Sequence, residues 1–154
     1  MPEFNFIKTE HDFKAFPELT NNQMARFYFD SPHKQITDNF NAKVVKVVDG
    51  DTVRVMWEER DFDFTIRLAN LAAAELDEEG GIESAKWLAE RVLGDNVEIV
   101  LTPERVEKWG RILGYVIHNG INMSEESVMS GMAVPWGERG SSVPDFEREL
   151  ERFD

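Results

Sequence analysis

The sequence predicts a mainly β domain with a few helices, and three observations carry that prediction. Valine-rich runs over residues 42–57 alternate between apolar and polar positions, as half-buried strands do. A single amphipathic segment, Ile82–Leu93, is bracketed by Gly80-Gly81 and Gly94. Two more β-type runs, Val97–Leu101 and Ile112–His118, follow that segment.

Taken in order, Ala42–Val48 and Thr52–Trp57 read as strands joined by the turn Asp49-Gly50. In the second, Val53, Val55 and Trp57 point to one face and Arg54 and Met56 to the other. Phe62–Ala69 is a third strand, reached over the polar turn Glu58–Asp61, so the first three strands form a meander. The helix presents Ala85, Leu88, Ala89 and Val92 on one side, and Gly94 supplies the left-handed residue that ends it. The last strand closes on the Asn119-Gly120 turn, and Ser124–Ser127 begin a short helix that Gly131 terminates. Three hairpin strands, a helix and two further strands fit a five-stranded Greek-key barrel of OB type, with its main helix between strands 3 and 4.

Extensions flank this unit. Residues 1–41 form an aromatic-rich arm carrying Phe4, Phe6, Phe13, Phe16, Phe27 and Phe29, and Thr20-Asn21-Asn22-Gln23 has the form of a capping box for a helix over Asn21–Phe29. Such an arm must cover apolar surface, either on its own domain or on a protein partner. The domain itself spans 42–136. Residues 137–154 form an acidic tail with a short charged helix over Asp145–Arg152.

The chain of 154 residues has no cysteine, which excludes disulfides and thiolate metal sites. The N-terminus lacks the features of a signal peptide, and no apolar run is long enough to span a membrane. The expected location is the cytoplasm, or a larger assembly such as a virion. Net charge is −13 and is spread along the chain, with no basic tail and no basic stripe to mark a nucleic-acid path. His11, His33 and His118 have no ligand spacing and are read as non-catalytic.

Four elements in fixed order carry more information. The chain reads Asp49-Gly50-Asp51-Thr52 after a strand, then Ile66-Arg67-Leu68, then Glu75 before a helix, then Gly110-Arg111-Ile112 before the last strand. Over residues 42–136 this resembles the staphylococcal nuclease, or thermonuclease, family. The resemblance implies metal-dependent hydrolysis of DNA or RNA, in single strands or frayed ends. It assigns Arg67 and Arg111 to a clamp on phosphoryl oxygens, Glu75 to the base that activates water, and Asp51 with the backbone carbonyl of Ala73 to a Ca²⁺ site. Elementary chemistry agrees with these roles. Planar, permanently charged guanidinium forks suit phosphate, a carboxylate can take a proton from water, and Ca²⁺ prefers oxygen ligands. Each residue also has a plainer reading: Asp49 as a turn residue, Asp51 as a cap of that turn, Arg67 as a surface charge or a partner of Asp61 or Asp63, and Arg111 as a solvated side chain.

The sequence departs from the family's pattern in one place. The loop Leu71-Ala72-Ala73-Ala74-Glu75 puts Ala72 where the family has a second metal-binding aspartate and Ala74 where it has a proline. A methyl group cannot ligate calcium, so Ca²⁺ is expected to bind weakly or not at all, unless Asp77, Glu78 or Glu79 reaches back. Two functions follow. One is a metal-dependent nuclease with an incomplete metal site. The other is a catalytically weakened OB-fold domain that serves a larger assembly, with residues 1–41 docking on a protein partner.

Overall fold

The computed structural model describes residues 7–8, 10–28, 31–108 and 110–137. Five strands form the barrel: β1 (Phe40–Asp49), β2 (Thr52–Met56), β3 (Phe64–Leu68), β4 (Asn96–Val106) and β5 (Ile112–His118). β1 pairs antiparallel with β2 and β4, β2 with β3, and β4 with β5, while β3 and β5 pair in parallel and close the cylinder. This closed, mainly β arrangement is the OB-type barrel expected from the element order. Alternation fills its interior: Val44, Val53, Val55, Ile66, Leu68, Ile99 and Val116 are fully buried, and Leu88 and Val92 of the main helix pack against them.

Three helices are described: α1 (Asn21–Arg26), α2 (Gly81–Val92) and α3 (Met123–Met129). The capping box forms as expected, with Thr20 N–H donating to Gln23 Oε1 at 2.8 Å and Gln23 N–H to Thr20 Oγ1 at 3.0 Å. The helix is nevertheless shorter than Asn21–Phe29, because Phe27–Tyr28 pair in parallel with Ile7–Lys8. Helix α3 starts at Met123, one residue before the expected Ser124, and Asn122 caps it by accepting from Ser124 N–H. Asn119 and Gly120 both have positive φ, as a tight hairpin turn requires. The helix expected over Asp145–Arg152, like Phe4, Phe6 and Phe29, lies outside the described residues.

Strand β4 runs five residues past the expected end at Leu101. The register shifts between Leu101 and Val106, and that irregularity accommodates Pro103, a residue with no N–H. Arg105 sits within it at φ 54°. Its side chain turns inward, donating to the carbonyls of Ile36 (2.7 Å) and Leu19 (2.9 Å) and to Glu18 Oε1 (3.1 Å).

Glu18 is thus the centre of a buried network that fixes the arm. It also pairs with Arg60, and its Oε1 accepts from Ile36 N–H at 2.9 Å. Arg60 is 7% exposed and lies 4.6 Å from the Phe64 ring centroid, with Phe62 and Trp57 close by. Leu19 and Ile36 are buried beside it. Of the two coverings open to the arm, Glu18, Leu19 and Ile36 take the one on their own barrel.

Candidate active site

The β1–β2 hairpin turns on Gly50-Asp51, with Asp49 and Thr52 already paired, one residue later than the sequence suggested. Gly50 has no positive φ, so turn geometry is not its reason for being there. A β-carbon at Gly50 would fall 1.9 Å from Ser84 Oγ and 2.7 Å from the Ala73 methyl. The glycine lets the hairpin tip lie directly against α2 and the Ala72–Ala74 loop. That contact places Asp51.

Asp51 is 9% exposed and its carboxylate is fully engaged. Thr52 Oγ1 donates to Oδ1 at 2.8 Å, Ala73 N–H donates to Oδ2 at 3.1 Å, and Arg67 Nη2 lies 3.4 Å from Oδ2. Asp49 accepts from Asp51 N–H at 3.0 Å and also shares a hydrogen bond between the two carboxyls. Burial, that shared bond and the Asp51 charge together push the Asp49 carboxyl up to about 7. Burial acts to raise Asp51 too, but the Arg67 guanidinium and its hydrogen bonds outweigh it and hold Asp51 below the usual carboxylate range. Asp49, read from sequence as a turn residue, is thus the proton-holding half of a carboxyl pair.

Arg67 comes from β3, level with Thr52 across the sheet and with Leu113 on the parallel strand β5. It pairs with Asp51, not with Asp61 or Asp63; Asp63 is taken by Arg54 at 2.9 Å. Its guanidinium also donates to the carbonyls of Leu68 and, at 3.0 Å, Leu71, and the Trp136 ring centroid lies 5.5 Å away. Only 9% of Arg67 is exposed. A phosphate reaching it must share the guanidinium with Asp51 or move the Trp136 ring aside.

Arg111 immediately precedes β5. Its fork is met by a carboxylate that the sequence reading passed over: Nε to Glu107 Oε1 at 2.5 Å and Nη2 to Oε2 at 3.0 Å. That bidentate pair raises the Arg111 pKa above its ordinary value, against the opposing effect of burial. The charges of Asp51 and Asp49 act in the same direction. The i, i+4 spacing of Glu107 and Arg111 was the available signal. It could not be used from sequence, since the two flank a turn, where Glu107 N–H donates to the Arg111 carbonyl.

Glu75 is exposed, and among the described residues its carboxylate has no hydrogen-bond or ion-pair partner. Its backbone is firmly held in spite of the alanine at position 74. Glu75 N–H donates to Glu78 Oε1 at 2.7 Å, its carbonyl accepts from Glu78 N–H at 2.9 Å, and Gly81 packs so closely that a β-carbon there would lie 1.8 Å from that carbonyl. Glu78 therefore reaches back to the Glu75 amide.

The donors do not fit a resident divalent cation. Both Asp51 oxygens already accept hydrogen bonds, and a permanent positive charge lies 3.4 Å from one of them. It is the Ala73 amide that meets Asp51. Ala72 is 2% exposed in a two-residue pairing with Val134 and offers no oxygen from its side chain. No group of three or more carboxylate or imidazole side chains converges among the described residues. A hard cation wants six or more oxygen ligands.

A profile of the family described as staphylococcal nuclease homologue matches residues 65–151. An Escherichia coli protein described as an uncharacterized endonuclease is 33% identical over 96 residues, covering 62% of this chain and 60% of the relative. A micrococcal nuclease of Shigella flexneri is 31% identical over 129 residues, covering 74% of this chain and 71% of its own length. The chain thus spans about 60% of the length of the Escherichia coli relative. With the closed barrel and the order of its motifs, these likenesses settle the ancestry: the chain belongs to the staphylococcal nuclease family.

Proposed function

We propose that the domain is a nuclease that hydrolyses phosphodiester bonds in single-stranded or frayed DNA or RNA. The observation that carries this reading is that Arg67 on β3 is paired with Asp51, that Arg111 stands at the start of the adjoining strand β5, and that Glu75, an exposed carboxylate, lies two residues beyond Ala73, whose amide is bonded to Asp51. Arg67 and Arg111 neutralise the charge that grows on the phosphoryl oxygens as water attacks. Glu75 orients that water and accepts its proton, and its clamped backbone holds it in position. Asp51 keeps Arg67 in place, and Glu107 does the same for Arg111. A Ca²⁺ ion, where one is held, supplies charge neutralisation and a more acidic water. The donor set around Asp51 and Ala73 does not suit it.

The second reading, a weakened domain kept for assembly, draws on Ala72 and on the internal pairing of both arginines. Cleavage of single-stranded DNA and RNA by the wild type, Arg67→Ala and Arg111→Ala, with Ca²⁺, Mg²⁺, Mn²⁺ or chelator, separates the two. The nuclease reading expects wild-type cleavage and a loss of roughly 10²–10³-fold in each variant, the usual cost of removing one charge-stabilising donor. Wild-type protein that is folded but inert under every condition favours assembly.

A further inference from the structure

A protein of net charge −13 repels a polyanion as a whole, so a nucleic-acid strand needs a local positive track to reach the arginines. Cross-strand register builds one that is invisible in the linear sequence. On the β1–β2–β3 meander Lys46 stands opposite Arg54, Arg54 opposite Thr65, and Thr52 opposite Arg67. The residues of the other phase, Val53, Val55 and Ile66, are fully buried. Lys46, Arg54 and Thr65 therefore form a row on the outer face, one step along the strands from Arg67.

The arm adds a further cation. A cavity of about 110 Å³ between arm and barrel is lined by Lys14, Arg54, Phe62, Thr65 and Arg111, so it joins the outer row to the site. Carboxylates already answer the arginines here: Asp63 holds Arg54, Glu107 holds Arg111, and Glu18, also at the cavity, is held by Arg60 and Arg105. Lys14 and Lys46 are exposed and form no ion pair among the described residues. Asp63 is kept below the ordinary carboxylate range mainly by its hydrogen bond from Arg54, the residue that stands opposite Lys46. After pairing, Lys14 and Lys46 are the cations this face leaves outside its ion pairs, with Asp61 lining the neighbouring pocket beside Lys14.

We propose that the outer face of the β1–β2–β3 meander, completed by Lys14 of the arm, is the track on which the sugar-phosphate backbone of a single-stranded substrate lies beyond the phosphate at Arg111. Lys46 and Lys14 each face one backbone phosphate, and the track reads charge rather than base identity. The arm, besides covering the barrel, thereby belongs to the substrate surface. This inference rests on the phosphodiester reading above.

The test measures binding of a long single-stranded oligonucleotide and of a dinucleotide, each as a function of salt, in a Glu75→Gln background that prevents cutting. Lys14→Glu and Lys46→Glu are compared with Lys86→Glu, an equal change of net charge on the exposed side of α2. The expected result is a several-fold loss of affinity for the long strand relative to the dinucleotide in the first two variants. The salt slope should fall by about 0.7 for each lost phosphate contact to a single strand. Lys86→Glu should change neither. The track is refuted if Lys14→Glu and Lys46→Glu keep the parent's affinity and slope, or if Lys86→Glu weakens binding as much as they do. A folded parent that binds neither oligonucleotide overturns the phosphodiester reading itself, and the track falls with it.

Discussion

Replacing Glu18 by glutamine keeps the shape of the side chain and removes one negative charge from between two guanidinium groups. In the wild type Glu18 accepts from Arg60, from Arg105 at 3.1 Å and from Ile36 N–H at 2.9 Å, with both oxygens buried. The amide keeps one acceptor and turns its NH₂ toward a cation. Breaking a buried ion pair from one side costs about 3–5 kcal/mol, because the opposite charge is left without compensation. A domain of this size has a total stability of about 5–15 kcal/mol, so roughly a fifth of it or more is at stake. The assay is urea denaturation followed by tryptophan fluorescence and far-UV circular dichroism. The control is Glu59→Gln, which removes an exposed pair with Lys34 at 3.4 Å and should cost well under about 1 kcal/mol. Coincident transitions at a much lower midpoint for Glu18→Gln are expected. A loss below about 1 kcal/mol for Glu18→Gln, no larger than the control's, would show that the arm merely rests on the barrel and is not fixed by this network.

Three further outcomes follow from the site. Gly50→Ala drives a methyl into Ser84 and Ala73 and should destabilise by about 1–3 kcal/mol, read by denaturant midpoint, whereas a neutral result would show that the hairpin tip does not abut α2. The Asp49 carboxyl holds its proton up to about 7 when folded and only to its ordinary 3.8 when unfolded. The native state therefore binds more protons between those values, and wild-type stability falls as pH rises through that window. Asp49→Asn mimics the protonated acid, so its melting temperature should gain on the wild type from pH 4 to pH 7; a constant difference would contradict the raised pKa. Ala72→Asp buries a carboxylate and should lower the melting temperature without metal. Ca²⁺ should then restore it in the variant while leaving the wild type unchanged, and a Ca²⁺-dependent rise in the wild type would show that its donors suffice.

The barrel was legible in the sequence because its signals are local: alternation in Val53 and Val55, the Asn119-Gly120 turn, and the capping box at Thr20 and Gln23 each act within a few residues. Arg67 and Asp51, which the fold pairs, were singled out for a similar reason, as was Arg111, since short motifs at strand ends carry them. The partners of those residues were not. Glu18 meets Arg60 and Arg105 across 42 and 87 positions, and no periodicity relates them. Gly50 looked like a turn glycine, yet its role is to let Ser84 approach, a constraint that only the packed helix creates. Asp49 looked structural because its perturbation comes from burial and from Asp51, neither of which is visible before the hairpin docks. The basic row was hidden in the same way: Lys14, Lys46, Arg54 and Arg111 are dispersed along an acidic chain and become neighbours through register and through the arm.

The central claim is that Glu75, exposed and held by Glu78 and Gly81, remains a working base although the neighbouring loop has lost a carboxylate at Ala72. The direct measurement is the single-turnover rate of cleavage of one single-stranded oligonucleotide by wild-type protein and by Glu75→Gln, each in excess over substrate. Loss of a positioned general base predicts a fall of about 10²–10⁴-fold with binding retained. Equal rates in the two proteins, or no cleavage by either while both bind the strand, would contradict it.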